Sequence, residues 1–234
     1  HHASAIEISW AEHNIGNKVL VIDCSKAFSA CAANPNLQND KCQECIFQSK
    51  KSIRKHYPKQ TEQVWLKNSD SKILDAYEFN LSNQVQMEKF QHNGWDFGRS
   101  VVSQLISKHR EFILADRIIK SEGLPLLRSS LQAYNQLHEI LRSEFSRIYI
   151  WGGRRASEAC AIFAAKELGL EIFYFETGGD ENKYFLSSRS ATSFKEINQE
   201  VMEWESNYWN SNSLQRRWQS GSHYLQELRY GRST

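Results

Sequence analysis

No run among the 234 residues approaches the eighteen or so apolar positions that a membrane-spanning helix needs. A secretory hydrophobic region is also missing. The opening His1-His2-Ala3-Ser4 reads as a tag remnant, so residues 1–4 are set apart and 5–234 are read as one domain. Both absences lead to the expectation of a soluble, cytoplasmic protein. Charge of one sign is not in excess: 29 Lys and Arg face 27 Asp and Glu, a net +2. That balance admits an anionic ligand and gives no reason to expect nucleic acid as a partner. Internal repeats and low-complexity linkers are lacking. So are the Gly-Lys-Ser/Thr of a Walker loop and the Gly-x-Gly-x-x-Gly dinucleotide turn, which disfavours nucleoside triphosphatases and dehydrogenases.

What is present is a folded chain's composition, with seven Trp, nine Tyr and twelve Phe to fill a core or line a ligand surface. The most informative stretch is Arg147–Gly179, RIYIWGGRRASEACAIFAAKELGLEIFYFETGG. An apolar run, Ile148 to Trp151, turns at Gly152-Gly153. Ala156, Ala159, Cys160, Phe163, Ala164 and Leu168 then follow helical spacing until Gly169, and a second apolar run, Ile172–Phe175, ends in Glu-Thr-Gly-Gly. Runs free of polar alternation suit strands buried on both faces, so the spacing predicts a β-α-β unit. Ligands of open α/β sheets bind at the carboxyl ends of the strands, where the polar residues of this stretch gather.

Lys18–Asp23 reads as an earlier buried strand, Lys41 to His56 as a helix ended by Pro58, and Gln63–Lys67 as a short strand. From Asn83 to His109 a helical pattern is interrupted at His92-Asn93-Gly94 and Phe97-Gly98. Phe112–Ile119 fits strand or helix. Leu124, Leu127, Leu131, Tyr134, Leu137 and Leu141 trace one face of a long amphipathic helix, and further helices are expected across about 192–234. The order predicts an α/β sandwich with a largely parallel sheet.

Four cysteines, Cys24, Cys31, Cys42 and Cys45, lie within twenty-two residues, the last two as Cys-x-x-Cys. Four thiolates can close a tetrahedral zinc site, although Cys24-x6-Cys31 is wider than zinc ribbons use. A redox Cys-x-x-Cys, buried thiol pairs and two disulfides are the other open readings. Cys160, on an apolar helical face, reads as core.

Arg154 and Arg155 open the helix after the Gly-Gly turn. Helix N–H groups, the positive dipole end and a guanidinium would there act on one anion, with Gly152 and Gly153 allowing close approach. The plainer alternative is Arg154 paired with Glu158 one turn on, or simply exposed. Glu176 ends the second strand before Gly178 and Gly179. It could serve as general base, orient a sugar hydroxyl, or pair with an arginine. His92, Asp96 and Arg99, around the glycines of HNGWDFGRS, are further candidates, against the reading of a tight turn before a helix.

The segment Ile148–Gly179 resembles the capsule polysaccharide biosynthesis family of bacterial glycosyltransferases. There a strand ends in Phe-Asn-Gly-Arg, and a spaced alanine, a helix, a strand and Glu-Arg-Gly follow. Gly153, Arg154 and Ala156 fit the first motif, and Glu176 and Gly178 the second. Gly152 stands where the family has Asn, and Thr177 where it often has Arg. Trp95–Ile106 and the cysteine loop with Asn34-Pro35 are similar to further segments, so the likeness spans roughly 18–179. It implies a GT-B architecture, with this chain as the N-terminal, acceptor-side half: a Rossmann-like three-layer sandwich, inactive without a C-terminal donor-binding domain. It also implies sugar transfer from a nucleotide-sugar donor to a glycan or lipid-linked acceptor for a bacterial surface glycan. Transfer would need no cofactor, with Glu176 as the catalytic residue and Asp96, Gly152, Gly153, Arg154, Arg155, Gly178 and Gly179 against substrate. Peripheral association with the inner face of the bacterial membrane is a further implication. From a different class come two alternatives, a non-catalytic phosphosugar- or nucleotide-binding module using the same arginines, and a zinc-stabilised interaction domain.

Overall fold

The computed structural model describes residues 2–29, 31, 34, 36–67, 81–142, 144–177 and 184–190, with a few isolated positions beyond. The helical segment expected at 192–234 lies almost entirely outside them. The chain is mixed α/β and divides into two compact units. One comprises residues 2–148 with 154–172, and the other 149–153 with 173 onward.

The larger unit begins with α1 (His2–Asn14), which runs straight through the residues set apart as a tag remnant. Its Trp10 indole donates to the His56 carbonyl at 2.8 Å. Next come β1 (Leu20–Ser25), α2 (Asn39–His56) and β2 (Glu62–Lys67). β1 and β2 pair in parallel, Leu20 opposite Glu62 through Ser25 opposite Lys67. β1 is half-buried, with Cys24 exposed, where the sequence suggests full burial. Asp23 explains part of this: its carboxylate accepts from Ser49 of α2 at 2.6 Å and Gln63 of β2 at 2.8 Å, tying three elements through a polar junction.

The interrupted pattern at 83–109 resolves into α3 (Gln84–Glu88), a tight hairpin and α4 (Phe97–His109). The hairpin is closed by reciprocal backbone bonds between His92 and Trp95, with Asn93 and Gly94 both at positive φ (51° and 80°). Two successive positive φ values define the Asn-Gly turn that favours a hairpin. Phe112–Ile119 is neither strand nor long helix. Phe112 and Ile113 are 85% and 86% exposed, and only α5 (Asp116–Ile118) is regular before a π-helical turn, Ile119–Gly123. That turn leads into α6 (Leu124–Leu141), whose Pro125 cannot donate to a carbonyl one turn back. The widened turn, in which Leu124 N–H reaches the Ile119 carbonyl, absorbs the interruption.

The core of this unit joins α4, α6 and α7 (Ala156–Glu167). Val101, Leu105, Leu126, Leu127, Leu131, Ala156, Cys160 and Ala164 are all buried in it. The small residues of α7 set its close packing on α6, and Phe97 meets Tyr134 and Phe163 edge-on at 5.4 and 4.9 Å.

β3 (Arg147–Trp151) and β4 (Glu171–Thr177) begin in the larger unit and end in the smaller. Glu171 N–H donates to the Ser146 carbonyl and Gly152 N–H to the Phe175 carbonyl. Both bonds advance in the same sense along the two strands, the parallel pairing expected of a β-α-β unit. The smaller unit adds β5 (Tyr184–Ser187), antiparallel to β4 with Glu176 opposite Phe185. No periodicity announced this strand: its outer residues, Phe185 and Leu186, are exposed. Among the described residues the strands form two sheets, β1-β2 and β3-β4-β5, in place of the single sheet expected.

Candidate functional site

The N-terminus of α7 belongs to the larger unit, and its backbone donors are largely spoken for. Ala156 N–H donates to the side-chain oxygen of Gln104, a buried residue of α4, at 3.0 Å. Arg155 N–H donates to the Glu158 carboxylate at 2.9 Å, and the Arg155 guanidinium stands 3.6 Å from the same group. The salt bridge foreseen between Arg154 and Glu158 is thus made by Arg155. An extended φ/ψ at Arg155 makes it the N-cap, and Glu158 three residues on folds back as in a capping box. A carboxylate already sits at the positive end of the helix, where it competes with any bound anion.

Arg154 is the residue left facing outward. It is exposed, and its guanidinium donates to Ser107 Oγ of α4 at 3.2 Å. Gln104 and Ser107 were missed from the sequence. Their signal was two polar residues on the same helix as Val101, Val102 and Leu105, one of them fully on the buried side.

Gly152, Gly153 and Glu176 lie in the smaller unit. The glycines take φ values of 68° and 109°, a reversal that side chains resist, and Gly152 is buried. Glu176 is half-buried near the end of β4. The Trp151 and Phe175 rings meet edge-on at 5.4 Å, and Tyr149 stacks on Phe173 at 5.3 Å. Gly178 and Gly179 lie outside the described residues.

No family model, curated protein or solved structure matches the chain. The functional reading rests on its own residues.

Asp96 precedes α4 without capping it by its side chain. Its carboxylate accepts from Gln91 at 2.6 Å and lies 3.9 Å from Arg99. These local contacts hold the turn. His92 contributes to packing, edge-on to Phe97 and Tyr134, and burial pushes its pKa down. Beside it, Tyr134 donates to the Glu167 carboxylate and accepts from Asn93, while His138 lies 4.0 Å from Glu167. This network fastens the Asn-Gly hairpin to α6 and α7.

Cys160 is core, as expected. Its thiol donates to the carbonyls of Ala156 and Ser130, and burial pushes its pKa up to about 12. The other four cysteines are unpaired thiols; Cys24, Cys31 and Cys45 are exposed and Cys42 is half-buried, so the reading of buried thiol pairs does not hold. Cys24 Sγ accepts from Ala27 N–H at 3.3 Å, and Cys42 Sγ from the Asn34 amide at 3.2 Å. The Cys45 thiol is pushed up first by desolvation, then by the charges of Cys31, Asp23, Cys24 and Cys42. Among the described residues, no three His, Cys, Asp or Glu side chains already converge as a metal ligand set.

A hollow of about 270 Å³, lined by Lys18, Val19 and Thr61 among others, lies at the opening end of β1. Lys18 is bound there by Glu62 and Glu144, so it adds no free charge. Among the described residues, no helix is long and apolar enough to cross a membrane.

Proposed function

We propose that this chain is the acceptor-side domain of a bacterial surface-glycan glycosyltransferase, a Rossmann-like half of a GT-B architecture that works with a separate donor-binding domain. The observation that carries the reading is Arg154, an exposed guanidinium held by Ser107 at the start of the helix that follows a parallel strand and a Gly-Gly reversal. In α/β sheets such a position faces ligand, and a guanidinium there matches a diphosphate or carboxylate in two parallel hydrogen bonds.

Because Gln104 and Glu158 occupy the neighbouring N–H groups, Arg154 would supply most of the attraction, with the helix end a lesser partner. Its role would be to hold the charge that develops on a leaving diphosphate, a task for electrostatics without a metal.

The test is titration of the chain with diphosphate-bearing lipid acceptors, comparing Arg154→Ala with wild type. Losing one charge-assisted bond worth about 1.5–3 kcal/mol should weaken binding roughly ten- to a hundredfold. Unchanged binding would place the anion site away from α7.

A further inference from the structure

We propose that Cys24, Cys31, Cys42 and Cys45 hold one zinc ion that clasps the end of β1 to the start of α2. Cys42, Cys45 and Ser49 fall at intervals of three and four on α2, one stripe of its surface. Ser49 is buried, and its hydroxyl donates to Asp23 at 2.6 Å, so this stripe is turned towards the end of β1. The residue after Asp23 is Cys24.

Cys31 is brought in by Asn34. Asn34 is 4% exposed, and its amide donates both to the Gln38 carbonyl at 2.7 Å and to Cys42 Sγ at 3.2 Å. Its own backbone N–H donates to the Cys31 carbonyl at 3.2 Å. One buried side chain thus pins the Cys31 turn against Cys42. At the other end, Lys26 adopts a positive φ of 59°, which folds the chain back so that Ala27 N–H reaches Cys24 Sγ. These N–H contacts fix where the two sulfurs lie, as outer contacts orient metal ligands.

Exposure also favours this reading. Three of the four thiols are exposed and the fourth is half-buried, and the charges of Cys31, Cys24 and Cys42 all reach the Cys45 thiol, so a soft donor set lies within one neighbourhood. Four sulfurs and no oxygen or nitrogen select tetrahedral zinc among common divalent ions. The sulfurs are not gathered as a ligand set in the free chain, so binding has to draw them together. Each thiol gives its proton to solvent as its sulfur donates a lone pair to the ion, four protons for four Zn–S bonds.

The experiment is elemental analysis of the full chain equilibrated with zinc, followed by cobalt(II) substitution. One ion per chain is expected, with a thiolate-to-cobalt charge-transfer band that His1 and His2 cannot produce. Cys31→Ser and Cys45→Ser should each weaken zinc binding beyond the roughly 10–100-fold of losing an outer contact, with far-UV circular dichroism unchanged. Chelation should lower the melting temperature of wild type and leave that of Cys31→Ser unmoved. A Cys42–Cys45 disulfide, cobalt bound without the sulfur band, or no stoichiometric zinc would each overturn the proposal.

Discussion

Gly98 carries a constraint that no neighbouring residue could share. A Cβ built there would lie 1.6 Å from the Met87 carbonyl oxygen and 3.1 Å from Phe90 Cβ, because α4 begins directly against the end of α3. Its N–H meanwhile donates to the Phe90 carbonyl at 3.1 Å. Backbone cannot retreat as a flexible side chain can, so Gly98→Ala should destabilise the chain by about 3 kcal/mol or more, the upper end of overpacking costs. Urea unfolding measures this, and a loss under about 1 kcal/mol would mean that α3 shifts freely. The sequence marked Gly98 as an interruption of helical pattern but gave no hint of its contact, since Met87 lies eleven positions away. Arg154 was legible as an outward arginine at a helix start. The caps beside it were not, because Gln104 comes from another helix and Glu158 serves either arginine equally well by spacing alone.

Elements behave similarly: those whose periodicity is one-sided were read well, and those set by distant partners were not. α6 shows its buried stripe in six leucine and tyrosine positions, and α7 in its alanines. β5 and α1 have no such stripe, so tertiary pairing alone specifies them. Between α4 and the π-helical turn, Glu122 lies 2.7 Å from Lys108 and 3.2 Å from His109. Burial pushes its carboxyl up, yet the hydrogen bonds and charges of Lys108 and His109 outweigh this and hold it below the usual 4.5. A depressed carboxylate stabilises the fold above its unfolded value, and that contribution is lost as pH falls through the lower folded value. Melting temperatures of wild type should therefore exceed those of Glu122→Gln above about pH 4.5 and converge with them in stronger acid. Parallel curves at all pH values would show that the bridge adds nothing.

At the scale of the molecule, the larger unit is closed by a segment that arrives after the chain has already passed through the smaller one. Ala156, Cys160 and Ala164 are all at 0% exposure, and they come from residues 154–172. A chain ending at residue 153 should keep its helices but lose the cover over α6. It should bind a hydrophobic dye and show weakened near-ultraviolet circular dichroism, the behaviour of a loosely packed state. A sharp native-like near-ultraviolet spectrum would show instead that α4 and α6 pack unaided.

The same interleaving governs synthesis. A ribosome delivers α6 before β3, the Gly-Gly reversal and α7, so Leu127 and Leu131 leave the exit tunnel with their partner still unmade. At the roughly 5–20 residues per second of translation, that apolar stripe waits on the order of seconds for its cover. Every nascent chain passes through this interval, in which chaperones can engage α6 and neighbouring nascent chains can aggregate through it.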